Sequence, residues 1–200
     1  MLSTRRMLTG ALVGGLLAST PLIAQDRAVT LAARTGGFQA LTDLNDAGTA
    51  DFKKVGYNVG AGVAVQLTRF LSVRGDFTFA ENELRSGDAF EGDKLRRYFY
   101  DAALQLQYRN ASGLTPYAFG GVGGVTLDQT GVSAATKTKF ASTFGVGVNY
   151  ELPQTGLGLF IEGKGWVYNL SKLDGALATY DKSQVELGWS GGLSYRIPIS

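Results

Sequence analysis

Large apolar residues alternate with small or polar ones along residues 55–67, VGYNVGAGVAVQL. Because successive side chains of a β-strand point to opposite faces, this pattern predicts one strand with an apolar face and a small, polar face. At roughly 3.3 Å per residue the strand is long enough to cross a bilayer at a tilt, whereas strands of soluble proteins usually stop at about five or six residues.

The same alternation recurs and predicts eight strands, at residues 29–41, 55–67, 71–84, 96–109, 114–127, 137–152, 157–170 and 183–197. Longer polar intervals at 42–54, 85–94, 128–136 and 171–182 alternate with short turns at 68–70, 110–113 and 153–156. We therefore predict an all-β fold, an eight-stranded antiparallel up-and-down transmembrane β-barrel with short periplasmic turns and longer extracellular loops. The barrel has to close, because an open edge in hydrocarbon leaves backbone groups without partners.

Eight strands enclose a space that side chains fill, so the polar faces are expected to line a narrow lumen of small residues and charges. The predicted lumen charge network comprises Arg34, Arg74, Asp76, Asp101, Glu162, Lys164 and Glu186. One interpretation is that these acids and bases neutralise one another, since a buried charge without a partner is costly. The other is an ion path, or a carboxylate pair such as Asp76 with Asp101.

Aromatic residues cluster near the predicted strand ends. Phe79, Tyr98 and Phe140 lie near the long loops, whereas four tyrosines lie near the short turns, and these are Tyr108, Tyr117, Tyr150 and Tyr195. Aromatic rings prefer the headgroup zone of a membrane, so the four tyrosines are predicted membrane-interface residues.

Residues 1–24 have the layout of a secretory signal peptide, with Arg5 and Arg6 before a short apolar run, which leaves residues 25–200 as the barrel domain. Without that segment the chain carries 17 basic and 17 acidic residues, so nucleic acid is not an expected partner. The chain contains no cysteine and no histidine, which removes thiolate ligands, the commonest metal ligand and the commonest general base. We predict no catalysis, no cofactor and no metal site.

Three segments resemble a known family: PYAFGGVGG at residues 116–124, FIEGKGW at 160–166 and SGGLSYRI at 190–197. With the eight-strand layout, they are similar to the small outer-membrane barrels of the OmpA-type transmembrane domain and the OmpX/Opa group. The resemblance implies residence in the outer membrane, with outer-membrane lipid and the barrel assembly machinery as partners. It also implies that Gly192, Tyr195 and Ile197 form the assembly signal.

Three functions fit these patterns. The first is a structural or surface-interaction barrel whose loops, residues 42–54, 85–94, 128–136 and 171–182, present candidate surfaces for an extracellular ligand. The second is a narrow channel for ions or small solutes. The third is a soluble lipocalin-like periplasmic carrier, in which the apolar faces turn inward around a ligand. Strand length and the tyrosine belt favour the membrane barrel.

Overall fold

A computed structural model describes residues 27–42, 51–52, 55–85, 94–130, 135–170 and 183–199. The expected signal peptide, residues 1–24, lies outside these residues, as does the expected loop at 171–182. None of the described residues forms a helix with the length and apolar character that crossing a bilayer requires. The described residues form nine strands: β1 (Ala28–Ala40), β2 (Asp51–Phe52), β3 (Gly56–Gln66), β4 (Leu71–Arg85), β5 (Lys94–Gln107), β6 (Leu114–Thr130), β7 (Ala135–Glu151), β8 (Leu157–Asn169) and β9 (Ser183–Pro198).

Eight of these strands close into an antiparallel barrel. Each pairs with its neighbour in sequence, and β1 pairs with β9 in a register that sets Ala28 opposite Pro198 and Ala40 opposite Glu186. The two residues of β2 add to the far end of β4. The predicted eight-stranded up-and-down barrel is therefore confirmed, and closure leaves no open sheet edge along the wall.

Both described chain ends lie at the end of the barrel that carries the short turns, where the amide of Ile199 donates to the carbonyl of Arg27 across 2.9 Å. At the opposite, long-loop end some strands continue further than expected. Strand β6 reaches Thr130 and β7 starts at Ala135, so all described residues of the predicted loop at 128–136 are strand. The regular two-residue alternation fades in this polar stretch, although the backbone ladder persists.

The apolar rows point outward. Leu104, Val146 and Ile161 are 58%, 63% and 70% exposed, which on a closed barrel places them on the outer wall. The outward row on β5 and the residue after it runs from Tyr98 to Tyr108. Ten residue steps at roughly 3.3 Å and a tilt of about 40° give a band about 25 Å tall, the height of the apolar band of outer-membrane barrels.

Inward glycines make room for bulky inward side chains on neighbouring strands. A Cβ added to Gly145 lies 2.7 Å from Cε1 of Phe119, and one added to Gly192 lies 2.6 Å from Cζ of Phe160. Such distances are far below van der Waals contact, so only glycine fits beside these rings. Outward Gly163 has no atom within 4 Å of its virtual Cβ.

Candidate functional site

The lumen at mid-height contains a compact layer of charged side chains that we call the ionic layer: Arg34, Arg74, Asp76, Asp101, Glu162 and Lys164. Arg34 of β1 bridges two carboxylates. Its Nη1 donates to Oε1 of Glu162 across 2.6 Å, and its Nη2 donates to Oδ1 of Asp76. All three side chains are almost completely buried. One guanidinium thereby joins β1, β4 and β8 through the barrel interior.

Arg74 of β4 binds the same two carboxylates from the short-turn side. Its Nε donates to Oδ2 of Asp76 across 2.8 Å and its Nη1 donates to Oε2 of Glu162 across 2.9 Å. The guanidinium carbon lies 4.0 Å from the centroid of the Phe119 ring. Charge-assisted hydrogen bonds and a cation–π contact thus fix Arg74 in one orientation.

Lys164 of β8 completes the ionic layer. Its Nζ lies 3.2 Å from Oδ2 of Asp76 and 3.0 Å from both carboxylate oxygens of Asp101. Asp76 and Asp101, the carboxylate pair suggested by the sequence, are therefore bridged by a cation. The layer contains three cations and three carboxylates, so its formal charge is zero, and mutual pairing lowers the cost of burying them.

Glu186 is buried in the lumen but lies outside this layer. It pairs instead with Arg97, at 2.7 Å between Arg97 Nε and Glu186 Oε1, and both side chains are completely buried nearer the long-loop end. Strand alternation placed Glu186 correctly in the lumen, but it gives no height along the barrel axis. The barrel's stagger puts Glu186 level with Arg97 rather than with Lys164.

Aromatic and aliphatic side chains fill the lumen between the ionic layer and the long-loop end, and we call them the aromatic plug. The rings of Phe99 and Trp166 stack with centroids 4.5 Å apart, and Phe38 lies 5.8 Å from Trp166 and 6.0 Å from Phe99. The remaining buried members of this cluster are Ala80, Leu95, Val125, Leu127, Ala141, Tyr168 and Leu170. These side chains pack closely against one another across the lumen at this height.

The aromatic plug was not predicted from the sequence, although the alternation contains the signal. Trp166 lies an even number of residues from Glu162 and Lys164 on the same strand, and Phe99 lies an even number of residues from Asp101. Side chains at such positions point to the same face, so the alternation places both rings in the lumen. Large apolar residues of a membrane barrel are expected to face lipid, and these rings depart from that rule.

A cavity of about 100 Å³ with a mixed polar and apolar lining lies on the other side of the ionic layer, and we call it the vestibule. Its floor is formed by Arg74 and Glu162, and its walls carry carboxamides and hydroxyls, including Gln105 and Ser194. Arg109 and Glu151, an ion pair with partly exposed side chains, lie at the short-turn end. Its lining residues place the vestibule between the short-turn end and the ionic layer.

The assignment of Tyr117 to the membrane interface was wrong. Its ring points into the lumen, where the hydroxyl donates to Oε2 of Glu162 across 3.0 Å. The glycines around it left the facing of its strand ambiguous in sequence. Tyr108, Tyr150 and Tyr195 point outward at the short-turn end, 59%, 39% and 47% exposed.

The three residues assigned to the assembly signal lie on β9 next to β1. Gly192 faces the lumen opposite Arg34, whereas Tyr195 and Ile197 face outward opposite Leu31 and Val29. Among the described residues, no group of three or more acidic, histidine or cysteine side chains is placed to hold a metal ion.

A comparison with known protein families identifies the family to which the chain belongs. Residues 9–196 match the family described as outer membrane protein beta-barrel domain. The chain belongs to this family. It is an integral β-barrel protein of the outer membrane, so the short-turn end faces the periplasm and the long-loop end faces outward. A comparison with curated proteins finds no match.

Solved barrels share the fold at low sequence identity. Neisserial surface protein A is 11% identical with a TM-score of 0.57, covering 84% of this chain and 96% of its own. OprG from Pseudomonas aeruginosa is 13% identical with a TM-score of 0.55, covering 88% and 100%. Ail, the attachment invasion locus protein of Yersinia pestis, solved with the heparin analogue sucrose octasulfate, is 12% identical with a TM-score of 0.51, covering 86% and 100%. These likenesses concern the fold.

Proposed function

We propose that the protein is a non-catalytic structural and surface-interaction barrel whose lumen conducts neither ions nor solutes. The observation that carries this proposal is the stacked pair of Phe99 and Trp166 above a charge-neutral ionic layer. An ion crossing the lumen has to displace both. The channel interpretation is therefore not favoured.

The directions in which the side chains point argue against the interpretation as a soluble carrier. A lipocalin-like carrier requires the long aliphatic rows to line an internal cavity. Here Leu104 and Ile161 point outward, whereas Arg74 and Glu162 are buried inside. The absence of histidine from the chain supports a role without acid–base catalysis.

Interaction with partners outside the cell is proposed to occur through the loops at 42–54, 85–94, 128–136 and 171–182. These segments contain nine acidic and six basic residues. Their net negative charge repels a sulfated polysaccharide, so the heparin analogue seen with Ail is not an expected ligand here. A neutral or cationic partner fits the loops better, and purified protein is expected to flow through a heparin column at low salt.

Export and assembly follow the same proposal. Residues 1–24 act as a cleaved signal peptide, and the assembly machinery recognises Gly192, Tyr195 and Ile197 on β9. Outer-membrane lipid contacts the outward rows, and the rings of Tyr108, Tyr150 and Tyr195 anchor the periplasmic edge of the wall.

Single-protein conductance in planar bilayers tests the sealed lumen. The wild-type barrel is expected to give no current steps. Replacing both rings, Phe99→Ala with Trp166→Ala, removes the stacked pair and leaves the ionic layer as the remaining barrier, so small and infrequent steps are expected. Trp189→Ala is the matched control, because Trp189 faces lipid and its loss leaves the lumen closed. Stable steps from the wild type, unaltered by changes in the plug, contradict the proposal.

A further inference from the structure

We propose that the turn between β3 and β4 binds the headgroup of an anionic phospholipid in the periplasmic leaflet of the membrane, with Arg69 in contact with the lipid phosphate. This inference goes beyond the contact of lipid with the outward rows, because it assigns a headgroup charge and a place on the rim of the barrel. It rests on the composition of the turn, on the packing of Arg69 and on the charges around it.

The composition of the β3–β4 turn differs from that of the other short turns. It contains Arg69 and Phe70, whereas the turns at 110–113 and 153–156 contain neither a charged nor an aromatic side chain. The Phe70 side chain is 47% exposed at the rim of the barrel. Aromatic rings at the end of a barrel wall prefer the level of the lipid headgroups. We therefore place this turn at the membrane interface.

The packing of the turn holds Arg69 in one orientation. The hydroxyl of Thr68 accepts hydrogen bonds from the amides of Phe70 and Leu71 across 3.2 and 3.1 Å. The Phe70 ring stacks on Tyr108 with centroids 6.5 Å apart, and Cζ of Arg69 lies 4.8 Å from the Phe70 centroid. The ring covers one face of the guanidinium, so its N–H groups point along the edges, where a phosphate binds them. A side chain that is already ordered loses less entropy on binding.

A second exposed arginine lies on the same side of the rim. Strand β1 pairs with β3 in a register that sets Val29 opposite Val65. Continuing this register by two residues sets Arg27 level with Leu67, which is two residues before Arg69. Both arginines are exposed at the short-turn end. Two guanidinium groups therefore lie close together at the height of the periplasmic headgroups.

Acidic residues are scarce at this end of the barrel. In the described part of the chain, Glu151 is the only acid near the short turns, and it pairs with Arg109. Asp26 precedes Arg27 in the sequence and lies outside the described residues. Counting that aspartate against Arg27, the charge of Arg69 is still uncompensated. Basic side chains beside a membrane attract anionic headgroups, whereas a zwitterionic headgroup gains less.

Lipid binding to the refolded mature barrel in a nonionic detergent tests this proposal. Phosphatidylglycerol is the probe, phosphatidylcholine with the same acyl chains is the zwitterionic control, and native mass spectrometry measures the occupancy of each. The wild type is expected to bind phosphatidylglycerol more tightly than phosphatidylcholine. Arg69→Gln is expected to weaken phosphatidylglycerol binding about fivefold, the usual effect of one cationic side chain near a membrane surface.

Arg96→Gln is the matched control variant. It removes the same charge at the long-loop end, where Nε of Arg96 donates to Oε2 of Glu81 across 2.9 Å, and it is expected to leave phosphatidylglycerol binding unchanged. Arg69→Lys retains the charge but loses the planar contact with Phe70, so its affinity is expected to lie between those of the wild type and Arg69→Gln. Arg27→Gln is expected to weaken binding in the same direction, and it replaces Arg69→Gln if that variant does not fold.

Three results overturn the proposal. The first is equal binding of phosphatidylglycerol and phosphatidylcholine by the wild type. The second is unchanged phosphatidylglycerol binding in Arg69→Gln. The third is equal weakening by Arg69→Gln and Arg96→Gln, which indicates an effect of net charge rather than a site at the β3–β4 turn. Each of these results is independent of whether the lumen conducts ions.

Discussion

The hydroxyl of Tyr117 donates a hydrogen bond to Oε2 of Glu162 across 3.0 Å, which joins β6 to β8 through the lumen. The same carboxylate oxygen accepts from Arg74. Tyr117 thereby links the wall of the vestibule to the ionic layer. Gly147 lies beside this ring in the lumen. A Cβ at that position would clash with the phenol oxygen, so glycine leaves room for the ring.

Removing this hydroxyl with Tyr117→Phe is expected to lower the free energy of unfolding by about 1.5–3 kcal/mol, the usual range for a hydrogen bond to a charged group. Equilibrium unfolding in urea, with the barrel refolded in lipid vesicles, measures the change. Tyr150→Phe is the matched control, because Tyr150 points outward and is expected to change stability by less than about 0.5 kcal/mol. Equal losses in the two variants place Tyr117 outside the network.

Lys164 joins two carboxylates that otherwise repel each other. Lys164→Met leaves Asp76 and Asp101 buried without their shared cation, and a loss of about 3–5 kcal/mol is expected. The same urea titration measures it. The double variant Lys164→Met with Asp101→Asn removes a cation and a carboxylate together, so it is expected to recover part of the loss. Additive losses in the double variant show that the two side chains are not coupled.

Gly145 and Gly163 lie on neighbouring strands and point to opposite faces. Gly145→Val forces a side chain against the Phe119 ring and is expected to cost about 1–3 kcal/mol through overpacking. Gly163→Val adds a side chain where no atom lies within 4 Å, so it is expected to be neutral or slightly stabilising. Thermal unfolding followed by circular dichroism compares the two variants. A larger loss for Gly163→Val reverses the assignment of the faces.

The two tryptophans report on the two sides of the wall. Trp189 is 48% exposed on the outer face, whereas Trp166 is 2% exposed in the plug. In vesicles of brominated lipid, the variant Trp166→Phe, which retains Trp189, is expected to lose much of its fluorescence. Trp189→Phe, which retains Trp166, is expected to keep most of its emission, since the wall separates the indole from the acyl chains. Stronger quenching of Trp166 contradicts the placement of the plug.

Several features follow from the sequence with little ambiguity. Strict alternation at residues 55–67 identifies strand, face and length together, because side-chain direction reverses at every residue. The alternation of long loops and short turns between the strands predicts the up-and-down strand order. The residues that became the ionic layer were recognised because charges on a lipid-facing barrel have to be inside.

Other features depend on the closed barrel. Strand alternation places both Glu186 and Glu162 on the lumen face, yet the stagger between strands sets them at different heights. Glu186 therefore pairs with Arg97, whereas Glu162 pairs with Arg34. No local pattern encodes that stagger. The direction of the Tyr117 ring also depends on the closed barrel. The glycines near it leave its face undecided in the sequence, and the pairing of β6 with β7 decides it.

The sequence by itself determined that the protein is an outer-membrane barrel with apolar side chains on its outer face and charged side chains on its inner face. It could do so because alternation and strand length are local properties. Only the tertiary structure decided how the interior is divided into vestibule, ionic layer and aromatic plug. Phe38, Phe99 and Trp166 come from three strands far apart in the chain, and they meet because closure and stagger bring their inward positions to one height.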